Sequence, residues 1–157
     1  MLTTAQLTAL KADIAADPAF ADLPHNSDGA WAVAAAYNLP ASPAWTVWRT
    51  AVEAKQLMEN GFIWTAVDNL TVGKARIWDW MQSVGVINPS RPNVRQGLVD
   101  CFGAGSAMVT AMLPYCKRTA TRAEKLFAIG TGTDASPATM TFEGTMPYSD
   151  VEAAWAL

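Results

Sequence analysis

One histidine sets the limit on nucleophilic chemistry in this sequence. His25 lies in Leu23-Pro24-His25-Asn26-Ser27-Asp28, beside both a serine and a carboxylate. Triad members are normally assembled from separate parts of a fold. A histidine next to a helix cap reads instead as a solvated surface residue. Cys116 is a formal partner for His25, but no spacing joins them. The segment Gly130-Thr131-Gly132 resembles part of a dinucleotide fingerprint, but it follows a helix and precedes a strand. The fingerprint needs strand, turn, then helix, so that a helix N-terminus faces the pyrophosphate. The 14 carboxylates are scattered or capping, with no pair placed for acid–base work. Cys101 and Cys116 are too few and too far apart for a zinc site or a disulfide framework, and both read as buried free thiols. The expectation is a protein that is not an enzyme, with no catalytic residue, no cofactor and no metal.

The basic residues are better organised. Lys117, Arg118, Arg122 and Lys125 sit in a stretch that reads as helix, where Arg118 and Arg122 share a face, as do Lys117 and Lys125. This is either a solvated face or a stripe that contacts phosphates or a partner. A pI near 5.0 argues against specific DNA recognition. The compatible nucleic-acid role is non-specific contact with packaged DNA inside an assembly. Charge is also uneven along the chain. Residues 1–70 hold three basic and seven acidic residues, residues 71–126 eight and three, and residues 127–157 none and four. A basic middle between acidic ends can fold back on itself, or let one copy's acidic end meet the next copy's basic middle.

Composition points to covered surface. Apolar residues make up 51 % and charged residues 16 %, whereas ordinary soluble domains carry about 25 % charge. There are seven tryptophans, more than one core of this size readily holds. Most should be core, and at least two should meet another chain, because indoles dominate interface hot spots. Trp48, Trp155 and Phe142 are the expected anchors, with Arg118, Arg122 and Lys125 as the basic stripe. A length of 157 residues suits one domain that needs no staple. No apolar run approaches the roughly 20 residues that span a bilayer. The start, Met1-Leu2-Thr3-Thr4, shows no signal peptide. No membrane partner is expected, and synthesis in the cytoplasm is.

The elements follow from caps and periodicity. Thr3-Thr4-Ala5-Gln6 is a capping box that opens a helix carrying Leu7, Leu10 and Ile14. Asp17-Pro18 ends it. Asn26 or Ser27 caps a helix near 28–38. Ser42-Pro43 reads as the start of a third helix through Leu57, stopped by Asn60-Gly61. The run 62–67 is rich in β-formers and reads as a strand. Thr71 opens a helix near 72–83, residues 85–93 form a loop, and a helix follows near 94–102. Ser106 starts a long helical stretch to Ile129, kinked by Pro114 and divided by a second capping box, Thr121-Arg122-Ala123-Glu124. Residues 138–143 alternate as a strand, which must pair with 62–67 or with another copy. A third capping box, Ser149-Asp150-Val151-Glu152, precedes a last helix. The expected fold is mainly α: a single-domain helical bundle over residues 1–137 with a minimal β element. Residues 138–157 form a strand–helix interaction arm.

Two stretches carry a resemblance. One is Val67-Asp68-Asn69-Leu70-Thr71-Val72-Gly73-Lys74-Ala75-Arg76-Ile77-Trp78-Asp79-Trp80. The other is Thr121-Arg122-Ala123-Glu124-Lys125-Leu126-Phe127-Ala128 with the Gly130–Glu143 loop and strand. Together they resemble small, alanine-rich virion assembly proteins of tailed bacteriophages and prophages. The resemblance implies a structural protein of the virion, first of all a head-to-tail neck or connector ring subunit. Its partners would be copies of itself and other virion proteins such as portal or tail subunits. A tail or baseplate component and a small non-virion protein that binds one host partner are the alternatives. The motifs are not catalytic signatures, so no functional residue is carried over.

Overall fold

The computed structural model describes residues 1–59 and 61–157, and 53 % of the chain is helical, which makes the fold mainly α. The chain divides into two compact units, one of residues 1–45 with 119–157 and one of residues 46–118. In chain order, the first unit begins with α1 (Thr4–Ala16) and α2 (Ser27–Tyr37). The second holds β1 (Thr46–Trp48), β2 (Val52–Glu53), α3 (Ala54–Leu57), α4 (Trp64–Asp68), α5 (Val72–Ser83), β3 (Val86–Ile87), α6 (Pro92–Phe102), α7 (Ala107–Met112) and β4 (Lys117–Thr119). The chain then returns to the first unit with α8 (Arg122–Leu126), β5 (Ala128–Ile129), β6 (Thr139–Met140) and α9 (Tyr148–Trp155).

Local chemistry accounts for the first unit. The Thr3 hydroxyl accepts from the Gln6 N–H while Gln6 accepts from the Thr3 N–H, so the expected capping box opens α1. The second box also forms: Thr121 and the buried Glu124 cap α8 reciprocally. Asn26 caps α2 through the Gly29 N–H. The core gathers Leu10 and Ile14 of α1, Val33, Ala34 and Tyr37 of α2, Ala123 of α8, and Val151 and Ala154 of α9. Alanines on α2 and α9 let these helices approach closely. Residues 138–157 thus contribute core side chains to this unit, and the boundary expected at residue 137 falls inside it. The Asn38 amide holds the approach to α9, accepting from the Met146 N–H at 2.7 Å and donating to its carbonyl at 3.0 Å. Gly29 is needed where α2 passes Pro24, because a Cβ there would fall on the Pro24 carbonyl oxygen. Gly29→Ala should therefore destabilise by about 1–3 kcal/mol, against the small gain in helix propensity. Thermal melting checks this, and an unchanged or raised midpoint refutes the close approach.

Several expected elements differ. The third helix over 43–57 is not there: Ser42–Pro43 is a cis peptide, and residues 46–48 and 52–53 are strands, leaving helix only at 54–57. The run Thr46-Val47-Trp48 is β-branched and aromatic, buries Val47 between two half-exposed neighbours, and pairs with β4. Its expected stop, Asn60, lies outside the described residues. The 62–67 strand is instead a short helix, α4; Ile63, Ala66, Val67 and Leu70 pack on the second core at helical spacing. The 85–93 loop contains β3, which pairs antiparallel with β2, Val52 opposite Ile87. The stretch from Ser106 is not one kinked helix. Around Pro114 it tightens into a 3-10 turn, Leu113–Cys116, and then runs extended as β4. The strand expected at 138–143 is β6, and it pairs with β5, Ala128 opposite Met140, not with 62–67. Finally, α9 begins at Tyr148 after Pro147 without a side-chain cap. Glu152 instead accepts from Ser27 at 3.0 Å.

Candidate functional site

The second unit presents an open apolar groove. One wall is α5 with its C-cap residue Val84, where Ile77, Trp80, Met81 and Val84 recur at helical spacing. The opposite wall is the start of α6, with Asn93, Val94 and Gly97. Val86, Ile87 and Asn88 close one end. The turn between α5 and β3 is made by Gly85 at φ +77°, a left-handed conformation suited to glycine. The groove has a volume of ≈ 290 Å³. Beneath it, Trp78 faces the other way, into the core between Phe62 and Phe102. The groove side chains remain in water: Trp80 is 72 % exposed, Val84 60 % and Val86 49 %.

No titratable side chain lines this groove, and Asn88 is already engaged by Ser90. Its walls can bury apolar groups but can hold or move no proton. The titratable groups that are perturbed lie elsewhere. Burial pushes the Cys116 thiol up to about 11 and raises Cys101 too, so both free, buried thiols are protonated at neutral pH, as the sequence suggests. No group of three His, Cys, Asp or Glu placed to hold a metal occurs among the described residues, and no described helix is long and apolar enough to cross a membrane.

The anchors and the basic stripe expected from sequence are dispersed. Trp48 is half-buried under Arg95, whose guanidinium lies 4.4 Å from the ring centre. Phe142 packs edge-on against Phe127 at 5.6 Å. Trp155 is half-buried and stacked on the exposed His25, 4.5 Å apart and 9° from parallel. Arg118 is half-buried in β4, and Arg122 opens α8, so the two do not share a helix face; Lys117 and Lys125 are likewise on different elements. A shared face requires helix from 117 to 125, and the 3-10 turn and β4 interrupt it. Lys125 lies 5.2 Å from the Trp45 ring. Arg122 is fully engaged in the first unit, bonded to Asp17 at 2.6 Å and Asp13 at 3.0 Å, and stacked on Tyr37 and Phe20. The indoles left in water are Trp31, Trp64 and Trp80.

No family model, curated protein or solved structure matches this chain. The site therefore stands on its own geometry. Its strongest feature is the apolar groove with Trp80 on its rim, which the sequence signalled only as one of seven indoles.

Proposed function

We propose that this chain is a structural subunit that works by assembly, using the α5–α6 groove to bind another protein surface. The carrying observation is the row Ile77, Trp80, Val84 and Val86, all left exposed beside a groove with no titratable lining. Contiguous apolar surface rimmed by polar residues marks an interaction site in a soluble chain. Its indole is of the type that anchors interfaces, and the low charge content suits a surface largely covered in the assembled state.

Within that reading the finer assignment is a subunit of a tailed-phage virion, a ring at the head-to-tail neck acting by shape and burial. It rests on the resemblance carried by residues 67–80 and 121–143, the first of which contributes α5, the wall of the groove. Residues 138–157, including α9, would supply a face toward a neighbour. Electron microscopy of the purified protein, alone and with virion components, tests the assembly. Closed oligomers are expected, together with detection of the chain by mass spectrometry in purified particles. A species that stays monomeric at high concentration, with and without those components, refutes the proposal.

A further inference from the structure

We infer that copies of this chain join through unlike faces, the α5–α6 groove of one copy receiving the Trp31–Tyr148 aromatic pair of another. This rests on the assembly reading above and adds which two faces meet.

Charge decides between the available pairings. The first unit carries three basic and nine acidic residues, −6; the second carries eight basic and five acidic, +3. A groove-to-groove contact would bring two +3 units together. A groove-to-pair contact brings +3 against −6, the complementary arrangement. Such a contact is heterologous and repeats from copy to copy, as a ring or filament requires.

The first unit has a matching apolar feature. Trp31, on α2, is 59 % exposed and stacks on Tyr148 of α9 at 4.6 Å. Stacking orders both rings before any contact, so less side-chain freedom is lost on binding. Carboxylates frame the pair. Asp28 stands one helical turn before Trp31 on α2, and Glu152 one turn after Tyr148 on α9, steadied by the Ser27 hydroxyl at 3.0 Å. On the groove side, Arg76 stands one turn before Trp80, and Arg91 is the N-cap residue of α6. Helical spacing turns the acidic residue of α5, Asp79, away from the Ile77–Val84 row, and Asp100 lies near the far end of α6. Trp31, seated on the half-buried Tyr148, thus has carboxylates at its margins, and the groove has Arg76 and Arg91 at its margins, while Glu53, opposite Val86, is already paired with Lys55 at 2.7 Å.

Sedimentation velocity on the full chain, with two variants, tests this. Trp31→Asp removes the aromatic pair and keeps the groove; Trp80→Asp does the reverse. The unsubstituted chain should associate with rising concentration, and each variant alone should associate at least about tenfold more weakly, about 1.4 kcal/mol. An equimolar mixture should restore one contact and give a 1:1 dimer with no larger species. If Trp31→Asp alone associates like the unsubstituted chain while Trp80→Asp does not, the contact is groove to groove, and the inference fails while the assembly reading survives. A mixture that stays monomeric also overturns the inference alone. A monomeric unsubstituted chain, in the presence of virion components as well, overturns both. Far-ultraviolet circular dichroism confirms folding. Should either variant lose helicity, Asp28→Lys and Arg76→Ala take their places with the same expected pattern.

Discussion

Arg122→Ala should lower the melting midpoint by about 5–10 °C, corresponding to about 2–3 kcal/mol at about 2–4 °C per kcal/mol for a chain of this length. The side chain closes a small cluster in the first unit. Two of its guanidinium nitrogens reach Asp13 at 3.0 Å and Asp17 at 2.6 Å, and its Cζ lies 4.4 Å from the Tyr37 ring centre and 5.0 Å from that of Phe20. Both ion pairs are part-exposed and screened by water, so their share is the smaller one. The two ring contacts add about 0.5–1 kcal/mol each. Arg122→Lys keeps the charge but loses the planar fork, and should recover less than half of the loss. The cluster also gives acid sensitivity. The Ala19 N–H first, and Arg122 next, hold the Asp17 carboxyl below its ordinary value. A depressed carboxyl adds stability above its unfolded pKa, which is lost as pH falls through the lower folded value, hence below about pH 4. Burial first, and the bond to Asp13 next, raise the Tyr37 hydroxyl. That contribution is present below the unfolded value of about 10 and is lost as pH rises beyond it. Melting curves across pH should show both limbs, with a shallower acid limb in Arg122→Ala. A variant that melts within about 1 °C of the parent removes the cluster from the account of stability.

The parts of the fold legible in the sequence are those whose signals are local. The Thr3–Gln6 and Thr121–Glu124 boxes satisfy their own backbone donors, so four residues suffice to place a helix start. The 72–83 helix likewise follows from Thr71 and the apolar periodicity after it. What failed depended on distant partners. Residues 45–57 carry apolar side chains compatible with either period, and pairing with β4 selected extended chain for 46–48. Residues 62–67 have strand composition, yet the second core accepts them as a helix through Ile63, Ala66, Val67 and Leu70. The same limit applied to the candidate site. Trp48 and Trp155 are plausible anchors by type, but Arg95 and His25 cover them. The uneven charge, by contrast, was visible in sequence; the units keep it at −6 and +3, less sharply than the linear segments, whose acidic ends sum to −8 against a basic middle of +5.

Trp78→Ala should destabilise by about 3–5 kcal/mol, whereas Trp80→Ala should stay within about 0.5 kcal/mol of the parent. The two indoles are separated by one residue on α5 and point about 200° apart around the helix. Trp78 is 5 % exposed, stacks on Phe62 at 5.7 Å and meets Phe102 edge-on at 5.1 Å. Its loss leaves an apolar void where α5 and α6 pack, and the neighbours cannot close it without moving a helix. Trp80, at 72 % exposure, loses mainly solvated surface on truncation. Urea unfolding measures the first difference, and hydrogen exchange along α6 should show the loss of protection in Trp78→Ala. Association reverses the order: Trp80→Ala should stay folded and lose concentration-dependent sedimentation. Equal destabilisation by the two substitutions would mean that Trp80 is a core residue, and the groove would cease to be a binding surface. The unequal result ties both consequences to one physical cause. A helix that buries one indole keeps its unit folded, and the second indole, turned to water by the same helical pitch, is free to be buried by another chain.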